Sequence, residues 1–196
     1  VIVLYSLFFI PEQKSNNQKI VDSTKLEQSS DTPSLEQKQT LVSISRDEAL
    51  SQSERIKFEN NNIVGSISLK GASIDDLTFK KYKVSLDKED RVTLLGPRNI
   101  KDGYLIDSGF VTSDKNVNVP NSETIWSFDS NNKLTDKSPI KLSWNNNQGL
   151  IFEKEISLDD EYLFTVKQKI INKTNNKYDF YSYGQIIRNE IPEIID

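Results

Sequence analysis

The sequence predicts an all-β fold of antiparallel strands for residues 50–196, and three observations support this. Apolar and polar residues alternate with period two in several short runs, as they do along strands with one buried face. Clusters of Asn and acidic residues separate these runs and are typical of turns. Alanine occurs only at positions 49 and 72, and no long stretch shows helical spacing. Many short strands joined by turns favour an antiparallel β-sandwich, and this part of the chain is long enough to bury a core.

The first zone of the chain is the apolar run Val1–Ile10, which is interrupted only by Ser6 and the Tyr5 hydroxyl. A membrane-spanning helix needs about 20 apolar residues, so this run cannot cross a bilayer by itself. We interpret it as the end of a first transmembrane helix, because a cleavable signal usually ends in small residues and Phe8–Pro11 follows instead. A buried strand or the tail of a signal-peptide core is the alternative. Since the sequence contains no Met, we expect it to be a fragment.

The second zone, residues 11–49, is rich in Ser, Gln, Lys, Asp, Glu and Thr. Its few apolar side chains cannot offset the entropy of the chain by burial. Pro11 and Pro33 would interrupt a helix, and the charges alternate in sign. We therefore predict a disordered polar tether.

The third zone, residues 50–196, contains three runs in which the alternation is clearest: 63–70, 152–158 and 162–170. Asp159-Asp160-Glu161 lies between the last two runs and predicts a hairpin turn. The apolar faces of the three runs are formed by Ile63, Ile67 and Leu69, by Phe152, Ile156 and Leu158, and by Tyr162, Phe164, Val166 and Ile170. Further turns are predicted at Asn60-Asn61-Asn62, Asn131-Asn132, Asn145-Asn146-Asn147 and Asn175-Asn176.

The composition excludes several classes of function. The net charge is −4 and there is no basic block, which argues against nucleic-acid binding. Without Cys there is no disulfide framework, thiolate zinc site or Cys nucleophile. Without His there is no imidazole ligand and no His general base.

The acidic clusters carry little catalytic signal. Asp75 and Asp76 are adjacent, so on a strand they point to opposite faces and would not act on one substrate. Asp159-Asp160-Glu161 could ligate a hard cation such as calcium, but a solvated turn is the simpler interpretation. Asp129–Lys133 begins like a calcium loop, yet Lys133 takes a ligand position and Leu134 replaces the required Gly.

The remaining motifs are also weak. Gly71, Gly96, Gly103 and Gly109 form no phosphate-binding run, and the sequon at Asn172-Lys173-Thr174 is a pattern expected by chance in an Asn-rich chain. Several aromatic side chains could form a platform for a sugar or a peptide, although packing in the core is the simpler role. They are Trp126, Trp144, Tyr162, Tyr178, Tyr181 and Tyr183. We therefore predict no catalytic residue, no cofactor-binding residue and no metal ligand.

A longer set of residues resembles a known family. Residues 62–82, with Gly71, the run Ile74–Leu77 and Tyr82, resemble the opening of the periplasmic domain of the YidC membrane-protein insertases, which belong to the Oxa/Alb superfamily. The resemblance extends in order from about Ser53 to Pro192. Its later parts are Val92–Pro97, Tyr104 with Gly109, Leu142–Trp144, Gly149–Phe152, Leu158–Tyr162, Val166 with Asn172, Tyr183–Ile186 and Pro192.

The resemblance implies a specific architecture and role. The family has a first transmembrane helix, a periplasmic β-supersandwich similar to galactose mutarotase, and a five-helix membrane core that inserts and folds membrane proteins, alone or with the Sec translocon. Residues 1–10 would then be the end of the helix in the lipid bilayer of the bacterial inner membrane. Residues 11–49 would be the tether, and 50–196 a periplasmic domain that is incomplete at its C-terminus. The charged groove residue of the membrane core has no counterpart here.

The resemblance therefore favours a non-enzymatic insertase and chaperone, whose partners are nascent integral membrane proteins and Sec translocon components. Two alternatives stay open. The mutarotase-like fold suggests an anchored periplasmic module that binds carbohydrate or peptide; the enzymatic form is excluded by the lack of His, which such epimerases use with Glu. The other alternative is an anchored surface binding protein with no role in insertion.

Overall fold

The structure is a computed structural model that describes residues 44–128 and 133–191. The expected membrane segment 1–10, nearly all of the expected tether, and the turn at Asn131-Asn132 lie outside these residues. The described residues all fall within one compact unit. Within them, no helix combines the length and the apolar character that crossing a bilayer requires.

One short helix and ten strands make up the described part of the chain. The helix is α1 (Arg46–Ser51). The strands are β1 (Arg55–Glu59), β2 (Ile63–Ser68), β3 (Ile74–Lys83), β4 (Arg91–Leu95), β5 (Tyr104–Val111), β6 (Ser127–Phe128), β7 (Ile140–Asn145), β8 (Leu150–Leu158), β9 (Phe164–Asn172) and β10 (Tyr181–Arg188).

The strands form two sheets, and every pair of named strands is antiparallel. The six-stranded sheet has the order β1-β2-β3-β5-β10, with β4 also paired to β3, and the four-stranded sheet has the order β6-β7-β8-β9. The predicted all-β antiparallel fold is therefore confirmed. Turn chemistry explains the hairpins: the Asn60 side chain accepts from the backbone N–H groups of Asn62 and Ile63 between β1 and β2. The Asp159 side chain likewise accepts from Glu161 and Leu163 between β8 and β9.

The core lies between the two sheets, which makes the fold a sandwich. Aromatic pairs join the layers: Phe58 of β1 meets Phe164 of β9 at 5.1 Å between ring centroids, and Phe110 of β5 meets Phe152 of β8 at 5.2 Å. Edge-on and tilted pairs at this separation add attraction beyond the burial of area. The buried side chains that surround these pairs include Ile63, Ile67, Leu105, Leu142, Leu150 and Ile156.

Helix α1 ties the start of the described chain to the six-stranded sheet. The Ser45 hydroxyl caps the helix by accepting from the backbone N–H of Glu48, the Ala49 side chain is buried, and Arg46 forms a salt bridge with Asp76 of β3. The boundary expected between residues 49 and 50 falls inside this helix. Six residues are too few for a clear amphipathic period, which is why the sequence did not indicate the helix.

Gly65 allows β2 to lie close to its neighbours. A Cβ atom at this position would overlap the carbonyl oxygen of Asp76 and lie 2.7 Å from Cζ of Phe58. The ring of Phe58 therefore packs over the bare backbone of the adjacent strand.

Candidate functional site

The acidic pair Asp75 and Asp76 has a structural role. Asp75 forms a salt bridge with Arg55, while Asp76 pairs with Arg46 and accepts from the Ser66 hydroxyl at 2.5 Å. Burial raises the pKa of the Asp75 carboxyl, and the hydrogen bond from Arg55 opposes that shift. Because each carboxylate has its own arginine, the pair offers no free acid and base for catalysis.

The acidic turn Asp159-Asp160-Glu161 is held by amides. The side-chain amide of Asn60 donates to the carbonyl oxygens of Asp159 and Glu161, both at 2.9 Å, and that of Asn62 donates to Asp160. Within residues 44–128 and 133–191, no cluster of acidic residues is arranged to hold a metal ion. Most of the rejected calcium-like loop, residues 129–132, lies outside the described chain.

The aromatic residues that could have formed one binding platform are dispersed. Trp144 packs against Phe152 in the core, Tyr162 packs against Phe79, and Tyr181 is 65% exposed on β10. Trp126 and Tyr183 both line one cleft. In the sequon, the Asn172 side chain is engaged in its own turn, where it accepts from the Thr174 hydroxyl.

The cleft opens between the two sheets. Its walls are Asp107, Ser108 and Gly109 of β5, Tyr183 of β10, Lys154 of β8, and Trp126 immediately before β6. Gly71, Pro120 and Asn121 complete the lining, and the space between these residues is too narrow to admit a water-sized sphere.

The connection before β6 is pinned against the six-stranded sheet by backbone hydrogen bonds. The N–H of Gly71 donates to the carbonyl of Thr124 at 2.7 Å, and the N–H of Trp126 donates to Leu69 at 2.9 Å. These bonds hold the indole of Trp126 at the bottom of the cleft, where it is only 2% exposed.

Lys154 is the central charged group of the cleft. It lies in the middle of β8 and is 1% exposed. Its ammonium donates to the carbonyl oxygen of Ser108 at 2.5 Å and lies 5.0 Å from the ring centroid of Trp126, within range of a cation–π interaction. Burial lowers the pKa of Lys154 to about 8, against a smaller opposing effect of the Asp107 charge. A lysine in such a position can switch between its charged and neutral forms near neutral pH.

Asp107 faces Lys154 but is already occupied by other donors. Its carboxylate accepts from the backbone N–H of Ser108 at 2.8 Å, from Gln185 at 3.3 Å and from Arg98 at 3.3 Å. In the described part of the chain, no salt bridge neutralises Lys154. With Lys154 protonated, the group of Lys154, Arg98 and Asp107 carries one net positive charge.

Two further polar groups complete the site. The Nε1–H of Trp126 is buried and has no hydrogen-bond partner among the described residues. Tyr183 lies directly across from Gly109 on the neighbouring strand, and a Cβ atom on Gly109 would come within 2.6 Å of the Tyr183 hydroxyl. Burial, with the nearby Asp107 charge, raises the pKa of Tyr183. Gln168, opposite Lys154 on β9, has a buried side-chain oxygen that also lacks a hydrogen-bond partner among the described residues.

The sequence carries one local signal for this site. In β8 the inward residues are every second one, and Lys154 lies between Phe152 and Ile156 on that apolar face. A lysine at such a position breaks the alternation, and the break marks a buried polar site. The partners of Lys154 come from distant parts of the chain, so the sequence pattern could not have supplied them.

Comparison with known proteins identifies the family of the domain. The YidC periplasmic domain family matches residues 55–194 of the chain. The chain belongs to the YidC family. The family suggested by residues 62–82 and the later segments is therefore confirmed, and the two-sheet fold agrees with it.

Individual YidC relatives extend the match beyond the domain. Membrane protein insertase YidC of Pelagibacter ubique is 55% identical over 194 residues, which cover 99% of this chain and 35% of the relative. The Rickettsia bellii protein of the same name is 38% identical over 96% of this chain and 33% of its own length. The Brucella suis protein is 40% identical over 76% of this chain and 25% of its own length. The chain thus spans about a quarter to a third of the YidC relatives it matches.

Proposed function

We propose that this chain is the periplasmic portion of a membrane-protein insertase and chaperone of the YidC type. The observation that carries the proposal is the match to a named insertase over 99% of the chain, which includes the residues before the domain. On this proposal, residues 1–10 end the first transmembrane helix in the inner membrane. Residues 11–49 link that helix to the domain, and residues 11–196 lie in the periplasm.

The proposed activity is physical rather than catalytic. The full protein would receive nascent integral membrane proteins, alone or with Sec translocon components, and insertion itself would occur in the membrane core that the family resemblance implies. A module that binds sugars is less well supported, since every relative named above is an insertase and the cleft is small for a sugar ring.

The insertase activity is tested with the full-length protein that contains this chain. Cells depleted of their own YidC are supplied with that protein, and insertion of a single-span client is followed by protease protection. Restored insertion supports the proposal. A well-expressed, membrane-bound protein that restores none would contradict it.

The location is tested with the same protein by thiol labelling, because this chain has no cysteine. Leu86 is 97% exposed, so Leu86→Cys should react in intact spheroplasts with a maleimide that cannot cross the inner membrane. Ile63, which is fully buried, supplies the control: Ile63→Cys should react only after denaturation. Labelling of the Leu86 variant only after lysis would place the domain in the cytoplasm and refute the topology.

A further inference from the structure

Helix α1 is attached to the sandwich chiefly by polar contacts at its two ends. Arg46 at its start forms a salt bridge with Asp76 of β3. Gln52, just after its end, accepts a hydrogen bond at 2.5 Å from the side-chain amide of Asn99. Ala49 is the only buried residue of the helix, and it is not part of the cluster of apolar side chains that fills the sandwich. The helix therefore gains little from apolar burial, whereas the sheets gain a great deal.

The helix depends on this docking for its own stability. It has six residues, and isolated helices shorter than about 12–15 residues are marginal in water because the first turn is costly to form. The Ser45 cap and the acidic residues of the first turn, Asp47 and Glu48, favour the helix but do not make up for its length. Docking and helix formation are therefore coupled. The segment has two states, one docked and helical, the other detached and unfolded.

The anchor at Arg46 has features that make detachment less costly. Its buried Nε–H has no hydrogen-bond partner among the described residues, and a buried donor without an acceptor loses its bonds to water. Detachment returns this group to solvent, where it is hydrated again. Asp76 also keeps a partner after Arg46 leaves, because it accepts a hydrogen bond from the Ser66 hydroxyl at 2.5 Å. Both members of the salt bridge thus have other partners in the detached state.

The chain that follows the helix is held much more firmly. The carbonyl of Glu54 accepts from the backbone N–H of Leu69 at 2.9 Å, so sheet pairing begins at this residue. Strand β1 comes next, and its Ile56 and Phe58 are buried in the core between the sheets. Helix α1 can therefore open about residues 52–53 while the sandwich stays intact.

We propose that α1 is a releasable strap, which docks on the six-stranded sheet through Arg46 and opens without unfolding the sandwich. Its six residues span about 9 Å as a helix and about 20 Å when extended. Release therefore lengthens the path from residues 1–43 to β1 by about 11 Å along the chain. That this change alters the reach of the domain from the inner membrane rests on the proposed function, whereas the strap itself does not.

The test is native-state hydrogen exchange of the complete chain, followed by NMR at several urea concentrations below the unfolding transition. The amide of Ala49 reports on the strap because it donates to the carbonyl of Ser45, and the amide of Leu69 reports on the sheet beside the hinge. Ala49 should be protected, yet exchange at least about a hundredfold faster than Leu69 after correction for intrinsic rates. Its exchange should depend little on urea, because a local opening exposes little surface.

Two results would overturn the proposal. If Ala49 exchanges at the same rate as Leu69 and with the same dependence on urea, α1 opens only when the sandwich unfolds. If the amide of Ala49 shows no protection at all, the helix is not docked. Protection that is lost independently of the sheet supports the strap.

Three variants test the anchor. Arg46→Met should raise the exchange rate of Ala49 at least about tenfold and leave that of Leu69 unchanged, because Met keeps a similar helix propensity and removes only the salt bridge. Arg46→Lys keeps the charge and should restore part of the protection. Lys57→Met, at an exposed position of β1, removes the same charge elsewhere and should leave both rates unchanged. An unchanged rate of Ala49 in the Arg46→Met protein, or an equal rise at Leu69, would refute the role of Arg46.

Discussion

Replacing Lys154 with Met measures how much the buried ammonium costs the fold. The pKa of Lys154 is lowered from 10.5 to about 8 in the folded chain, because burial disfavours the charged form. The unfolded chain therefore holds this proton more tightly, and wild-type stability must rise as the pH increases from about 8 to about 10.5. One pKa unit corresponds to about 1.4 kcal/mol. The penalty is about 3 kcal/mol at neutral pH, and about 2–3 kcal/mol of it is relieved between about pH 7 and pH 10.

The assay is urea unfolding of wild type and Lys154→Met, followed by far-ultraviolet circular dichroism at several pH values across this range. The informative quantity is the difference in unfolding free energy between the two proteins at each pH. The contributions of the other titrating groups are the same in both proteins and cancel in this difference. This difference should move by about 2–3 kcal/mol in favour of the wild type as the pH rises. Lys141→Met, which removes an exposed charge, should give a nearly constant difference. A flat difference for Lys154→Met, or one that moves in favour of the variant, would refute the reasoning.

Two other predictions concern the packing and the ion pairs of the six-stranded sheet. Gly65→Ala should destabilise the chain by about 2–3 kcal/mol, because the new methyl overlaps the Asp76 carbonyl and the Phe58 ring; Gly184→Ala, which meets nothing within 4 Å, should change stability by less than about 0.5 kcal/mol. Thermal unfolding compares the two, and equal losses would contradict the packing argument. Arg55→Met should cost about 3 kcal/mol at neutral pH because it leaves the buried Asp75 carboxylate unpaired. The loss of stability should shrink in acid, because the Asp75 carboxyl of the folded variant is then protonated and no longer a buried unpaired charge. Urea unfolding at two pH values tests this, and a loss that grows in acid would contradict the argument.

The strands were predictable because their signal is local. The alternation at Ile63–Leu69 and at Phe152–Leu158 predicts strands with one apolar face, and β2 and β8 occupy those positions. The polar face of β2 is buried as well at Ser66 and Ser68, which the alternation did not predict. The predicted turn at Asn60-Asn61-Asn62 also follows from local chemistry, since the side chain of Asn60 binds the backbone two and three residues ahead. Features of this kind need no knowledge of the rest of the fold.

The cleft was not predictable in the same way, because it depends on long-range pairing. Ser108, which accepts from Lys154, is 46 residues away in the sequence, and Tyr183 reaches the site through the pairing of β10 with β5. Helix α1 was missed for a related reason. Its position is stabilised by Arg46, which pairs with Asp76 30 residues later. Long-range contacts of this kind leave no periodic pattern in the sequence.

The free-energy cost of burying Lys154 helps to decide whether this domain only separates other parts of the protein or has a binding role of its own. A spacer between membrane helices needs only a stable core, and an apolar residue at position 154 would fill the space between Phe152 and Ile156 without the penalty of a buried charge. Replacing buried ionic groups with well-packed apolar ones is often neutral or stabilising. A costly buried lysine, next to an indole N–H without a described partner, therefore conflicts with the demands of folding alone. Conflicts of this kind concentrate at functional sites. If Lys154→Met proves more stable than the wild type at neutral pH, the demands of the fold do not account for the buried lysine.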